Sequence, residues 1–313
     1  MSLLTLFSAP KPFTDPRIAA LQGNAIESWR RLPGVEILLM GDEQGVALAA
    51  ERKGLKHLPH VDCNASGTPL ISSMMQLARD NSQSALLAIV NADMILMADF
   101  AEAAIQVMQM RREFVLLGRR WDLDILEPLG FAPDWETELR ANVRQLGALH
   151  RPAGSDYFVF PRTCYRELPE FAVGRAGWDN WMICEARRRH WDVIDGTESI
   201  MAVHQNHDYS HLPGGEPHYA IPESDENIRL AGGEAPIRYT ILDATRCLRD
   251  GRLVRPRFSY LRFMRGLELF LRAAFFFLPP AMMEEVARPK RWKRRFFRLL
   301  GRAQQGPSKG LRD

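Results

Sequence analysis

Over residues 1–120, apolar runs of strand length alternate with stretches whose apolar residues recur at the helical period. The runs occupy residues 3–8, 35–40, 55–58, 85–90 and 114–117. Between them, Ile18, Leu21, Ala25, Ile26 and Trp29 fall on one helical face, as do Leu70, Met74, Leu77 and Ala78. Residues 42–54 and 99–111 read as two further helices. Thr14-Asp15-Pro16 and Thr68-Pro69 each combine a capping side chain with a proline suited to the first helical turn. Strands apolar on both faces and separated by helices predict a doubly wound, mostly parallel α/β sheet, Rossmann-like in layout. Ligands of such sheets bind beyond the carboxyl ends of the strands. The loops after Ser8, Met40, Val90 and Leu117 are therefore where a site is expected.

Beyond residue 118 the alternation weakens. Residues 134–146 and 178–189 read as helices, and 157–160, 191–194 and 199–203 as strands. Asp250-Gly251 is a good hairpin turn pair, although residues 244–248 equally suit a helix. No internal repeat occurs. At 313 residues, with 46% hydrophobic and 25% charged, the composition is that of a globular chain and excludes a disordered or disulfide-framework protein. The four cysteines form no C-x-x-C pair, so neither a zinc ribbon nor a redox motif is indicated. No signal peptide or spanning segment is recognised, which makes a cytoplasmic location the expectation.

The charge is unevenly distributed. Residues 251–313 carry 16 Lys/Arg against 4 Asp/Glu, a net +12, which leaves −9 for residues 1–250. We expect a catalytic domain over 1–250, with a nucleotide-binding half (1–120) and an acceptor and metal half (121–250). Residues 251–313 then form a basic, helical extension.

Neither G-x-G-x-x-G in the first turn nor G-x-x-x-x-G-K-[ST] anywhere is present, which removes the main support for dinucleotide redox chemistry and P-loop phosphoryl transfer. Four other constellations remain. Asn91-Ala92-Asp93 sits where a buried strand ends, a position from which a carboxylate can hold a hard cation, or simply cap a turn. His204, His207, Asp208 and His211 crowd into eight residues that suit transition-metal ligation or a polar surface loop. Asp179 lies between Trp178 and Trp181 behind a glycine turn, as a general base with a raised pKa or as a helix cap. Arg119 and Arg120 follow the fifth strand, ready for a diphosphate or for Asp122 and Asp124. Ser155-Asp156 adds a polar step at a strand edge.

In this order, these residues resemble the GT-A nucleotide-sugar glycosyltransferases, over residues 4–211. The resemblance implies a Rossmann-like sheet, an Asp-x-Asp metal motif after the fourth strand, an acidic base further on and a late His that completes the metal site. Asn91-Ala92-Asp93 looks like the metal motif with its first Asp replaced. Gly177-Trp178-Asp179-Asn180 is similar to the glycine-tryptophan-acid segment of inverting members, with Asp179-Asn180 in place of Glu-Asp. His204 or His207 falls where the late ligand would. The resemblance thus implies Asp179 as base and Asp93 with His204 or His207 around Mn²⁺ or Mg²⁺, and in the resulting reading Arg120 is the arginine expected beside the leaving diphosphate. It also sets Ser8, Lys11 and Asp42 near the nucleotide. Asn91, Asp156, Trp178 and Asn180 are further substrate-contact candidates in these loops.

Residues 260–278 carry Arg262, Arg265, Glu268 and Arg272, too many charges for a spanning helix, and these cluster on one side of an otherwise apolar helix. Residues 288–302 repeat the theme with Trp292, Phe296, Leu299 and Leu300 among many basic groups. Such helices suit an anionic membrane surface, and the first equally suits a core position. Nucleic acid is disfavoured by the acidic body and the absence of a recognition motif. The expected activity is metal-assisted transfer of a sugar from a nucleotide-diphosphate sugar to an acceptor hydroxyl, on a glycan or lipid-linked acceptor. The alternatives are a metal-dependent phosphoesterase centred on the His204–His211 run and a non-catalytic membrane-surface module.

Overall fold

A computed structural model describes residues 2–125, 127–206, 221–274 and 282. In chain order the elements are β1 (Leu4–Ser8), α1 (Pro16–Arg30), β2 (Val35–Met40), α2 (Val46–Lys53), β3 (Lys56–Leu58), α3 (Ile71–Asp80), β4 (Leu86–Val90), β5 (Met94–Ile95), α4 (Ala98–Met110), β6 (Phe114–Leu117), β7 (Trp121–Leu123), α5 (Trp135–Leu146), β8 (Ala148–Leu149), β9 (Tyr157–Pro161), α6 (Trp178–Arg188), β10 (Asp192–Asp195), β11 (Val203–Gln205), α7 (Pro222–Leu230), β12 (Arg246–Arg249), β13 (Arg252–Val254) and α8 (Tyr260–Ala274). The chain divides into two compact units, Met1–Pro256 and Arg257–Asp313.

The first unit is a mixed α/β fold around a nine-stranded sheet ordered β13-β12-β10-β6-β9-β4-β1-β2-β3. Its pairings are parallel except those of β9 with β4 and β6 and of β13 with β12. The expected mostly parallel sheet is therefore present, with β9 inserted against the grain. Successive side chains of a strand point to opposite faces. Accordingly Leu4 and Leu6 of β1 join a core cluster with Ile26, Trp29 and Phe100, while Phe7 joins Met74, Phe158 and Trp178 in another. Each large side chain fully buried in these layers is worth about 1.5–3 kcal/mol.

A second, four-stranded sheet runs β5-β11-β7-β8. Residues 199–203 were expected to be a strand; the strand instead covers Val203–Gln205 and belongs to this second sheet. The 244–248 ambiguity resolves to a strand, because β12 pairs with β10 on one side and β13 on the other.

Helix starts also differ from the expected ones. Asp15 caps α1, its Oδ1 accepting from the backbone N–H groups of Arg17 and Ile18. Thr68 does not cap α3, since Leu70 is held extended against Ala172 and the Thr68 hydroxyl donates to Glu223 instead. Asp42 precedes α2 by several residues, and that helix starts after Gly45, whose φ of 90° suits glycine. Among the described residues no helix is long and apolar enough to cross a membrane.

Candidate active site

The carboxyl ends of β1, β4 and β6 face one edge of the central sheet. Ser8 closes β1, and its buried hydroxyl donates to the Val90 carbonyl at 2.7 Å, tying two strand ends together. Lys11 is anchored through its backbone to the Gln22 side chain on α1, by bonds of 2.6 and 2.9 Å. Burial lowers the pKa of the Lys11 amine; the Asp93 carboxylate opposes that and the Arg175 charge reinforces it, with a lowered pKa as the net result. Lys11 thus sits in the fields of both groups.

Asn91 turns the chain out of β4. Its backbone N–H donates to the Asp156 carbonyl at 2.9 Å and its Nδ2 donates to Asp156 Oδ1 at 2.9 Å. Two bonds clamp Asp93 and Met94. Gln205 Nε2 donates to the Asp93 carbonyl at 3.0 Å, and Trp29 Nε1 donates to the Met94 carbonyl at 2.8 Å. The Asp93 carboxylate is thereby held 3.6 Å (Oδ2) from His204 Nε2.

The second sheet explains why His204 points there. In its register His204 pairs with Met94 on one side and Asp122 on the other. His204 Nδ1 lies 3.5 Å from Asp122 Oδ1. Asp122 also accepts from Arg120 Nε at 2.8 Å and from His150 Nδ1 at 2.7 Å, so the His150 ring carries its proton on that nitrogen. Arg120 Nη1 reaches on to Asp156 Oδ1 at 2.6 Å. One polar chain therefore runs His150–Asp122–Arg120–Asp156–Asn91. Burial disfavours the Asp122 charge, but the bonds from His150 and Arg120 outweigh it and hold the carboxyl below its usual range. Burial likewise opposes the Arg120 charge, and Asp156 and Asp122 outweigh it.

Asp179 lies in the first turn of α6, after Gly177 at φ 105°. It is half-buried by surface area yet closely surrounded by protein atoms. Burial pushes its carboxyl up to about 6, and the nearby Asp156 charge adds to the rise, against backbone N–H donors at Asn180, Ser155 and Asp179 itself. Trp178 packs on Phe158 with ring centroids 5.4 Å apart and is 5% exposed, while Trp181 packs on Phe171. Asn180 Nδ2 donates to the Tyr239 carbonyl at 2.7 Å. Both indoles thus pack into the core.

At the rim, Glu223 on α7 accepts from Asn64 Nδ2 (2.7 Å), Thr68 Oγ1 (2.6 Å) and Arg175 Nε (2.7 Å). These bonds overcome the burial that would raise its pKa and hold it below the ordinary range. Asp42 is exposed beyond β2, outside this network. His207, Asp208 and His211 lie outside the described residues. No sequence motif marks His150 or Glu223, and in the sequence Asp122 stands out only as a partner for arginine.

Among the described residues, no three or more His, Cys, Asp or Glu side chains gather as a metal site. Two donors do fit one. Ligands of a common cation, each ~2.0–2.2 Å from it, stand ~3 Å apart, close to the 3.6 Å between His204 Nε2 and Asp93 Oδ2. Asp122 Oδ1, 3.5 Å from the opposite ring nitrogen, lies on the side where a ligating imidazole ordinarily has a carboxylate partner.

No family model matches the chain, and no curated protein matches it. The chain is similar in fold to nucleotide-sugar glycosyltransferases of known structure. Staphylococcus aureus TarS (1–349) with UDP-GlcNAc is 10% identical with a TM-score of 0.48, over 74% of this chain and 65% of that one. Glucosyl-3-phosphoglycerate synthase from Mycobacterium tuberculosis with Mn²⁺, UDP-Glc and phosphoglyceric acid is 14% identical with a TM-score of 0.44, over 74% and 80%. The mannosyltransferase PcManGT from Pyrobaculum calidifontis, with GDP-Man and Mn²⁺, is 13% identical with a TM-score of 0.41, over 64% and 56%. The chain thus spans less than two thirds of the TarS fragment and of PcManGT.

Proposed function

We propose that the protein transfers a glycosyl group from a nucleotide-diphosphate sugar to an acceptor hydroxyl. The observation that carries this reading is a convergence at one sheet edge: Asp93 and His204 face each other, Lys11 lies in the field of Asp93, and Asp179 lies in that of Asp156. In this reading Asp179 accepts the acceptor's proton, its pKa near 6 leaving it ionised but basic at neutral pH. Lys11 and Arg120 supply positive charge to the donor's diphosphate, Arg120 from a position fixed by two carboxylates. Ser8, Asn91 and Asp156 shape the strand-end cradle, Asp42 meets the nucleotide, and Trp178 and Asn180 position Asp179.

Asp93 and His204 would hold a divalent cation, with His207 as a further candidate. When bound, the cation would neutralise charge on the departing diphosphate. The acceptor is a glycan or lipid-linked hydroxyl, and the site of action is the cytoplasm.

Thermal unfolding with UDP-Glc, UDP-GlcNAc and GDP-Man, each with and without Mn²⁺, tests the reading, since a ligand of the native state alone raises the melting temperature. At least one donor should stabilise the protein, more strongly with Mn²⁺. No shift with any nucleotide sugar, together with hydrolysis of a phosphoester, would replace this reading with the phosphoesterase one.

A further inference from the structure

Helix α8 carries a row of exposed aromatic side chains. Tyr260 is 55% exposed, Phe263 53% and Phe270 66%, and Phe258, just before the helix, is 85% exposed. Positions 260, 263, 267 and 270 recur at the spacing of one helical face, with Leu267 half-buried in the same row. Arg265 is only 8% exposed, and Glu268 pairs with both Arg265 (3.1 Å) and Arg272 (3.2 Å). A helix built for a protein core would bury the aromatic row and present the ion pairs. Contiguous exposed aromatics of this kind mark an interaction surface.

Charge selects the occupant. Residues 255–274 hold five arginines and one glutamate, and residues 275–313 add 10 Lys/Arg against 3 acids. A second copy docking through this row would bring like charges together, which disfavours self-association. An anionic lipid surface meets both needs, since its headgroup boundary takes aromatic rings and its phosphates attract nearby cations.

We propose that α8 docks the protein on an anionic lipid surface, with Phe258, Tyr260, Phe263 and Phe270 entering the headgroup region and the exposed Arg257 meeting lipid phosphates. This surface is independent of the glycosyl-transfer reading and stands or falls without it.

The test is sedimentation of the full-length protein with vesicles of phosphatidylcholine alone and of phosphatidylcholine mixed with phosphatidylserine. The protein should sediment with the mixed vesicles, and less as salt rises. The Phe263→Glu/Phe270→Glu variant, altered only at exposed positions, should keep its melting temperature and lose ~10–100-fold in vesicle partitioning. A full-length protein that stays in the supernatant overturns the proposal. So does a variant that sediments as well as wild type, which would assign binding to the basic residues beyond 288. A wild-type dimer that the variant dissociates would give the row to a second copy and likewise overturn it.

Discussion

His204 stands directly across from Asp122 in the β7–β11 pair, with Nδ1 3.5 Å from the Asp122 carboxylate and Nε2 3.6 Å from that of Asp93. One imidazole thus links a strand-end acid of the central sheet to an acid of the second sheet. The second sheet's role is to bring that ring, and the Arg120–Asp156 pair beside it, up to the turn after β4.

Asp122 is the joint of this arrangement, and Asp122→Ala should show it. Removing the carboxylate takes the acceptor from both Arg120 and His150, at a cost of about 1–3 kcal/mol. Because the folded carboxyl titrates below its usual value near 3.9, its contribution is fully present above that value and fades as pH falls through the lower, folded one. Urea unfolding of wild type and variant should therefore differ at pH 7 and converge as pH falls below the ordinary carboxylate range. A difference that persists undiminished in acid would mean the loss is one of packing.

Much of the central sheet is legible in the sequence, because strands buried on both faces are continuous apolar runs that stand out from amphipathic helices. Strand β9 reads the same in either direction, so its antiparallel entry is invisible until the chain is traced. The second sheet is illegible for a different reason: β5 and β8 are two residues long, and only distant partners define them. The site divides along the same line. Asn91, Asp93, Asp179 and His204 are readable as polar groups near element ends. Asp122 and His150 meet through the β7–β8 pairing, and Glu223 gathers Asn64, Thr68 and Arg175 from two distant loops, with no local motif in either case.

A steric relationship next to this network yields a double-mutant test. A Cβ added at Gly118 would overlap the Tyr157 hydroxyl, which is buried and has no hydrogen-bond partner among the described residues. Gly118→Ala should destabilise the protein by about 1–3 kcal/mol, in the range of overpacked cores. Tyr157→Phe alone should be neutral or slightly stabilising, since it removes an unsatisfied polar group. In the double variant, measured by urea unfolding, most of the alanine's penalty should disappear. Strict additivity would show that the two residues do not interact.

Asp93 and Asn91 are predicted to respond differently to exchange of amide for carboxylate. Asp93→Asn should abolish any Mn²⁺-dependent gain in nucleotide affinity, read by isothermal titration calorimetry, with the fold retained. Asn91→Asp restores the commoner acidic motif, but Asn91 Nδ2 donates to Asp156 Oδ1, and a carboxylate there would face another carboxylate. The exchange should cost about 1–3 kcal/mol of stability at pH 7. Unchanged affinity in folded Asp93→Asn would remove that residue from the site, and an Asn91→Asp variant as stable as wild type would discount the amide bond.

Asp179 gives opposite predictions for stability and for turnover. Its folded pKa of about 6 lies above the ~3.9 of an unfolded aspartate, so ionisation is costlier in the native state. That penalty is absent below pH ~4, grows as pH rises through the interval between the two values and is complete above ~6. Asp179→Asn carries no such penalty and should be more stable than wild type at pH 7 by about 1–3 kcal/mol, and equal to it near pH 3.5. As the base, the wild-type carboxylate must be ionised, so turnover should rise with pH and level off above ~6, while Asp179→Asn should lose ~10²–10⁴-fold and retain donor binding. Stability curves against pH, together with initial rates on the donor that raises the melting temperature, check both halves. A variant that is stabilised yet turns over normally would leave Asp179 as a strained helix-start acid with no part in proton transfer.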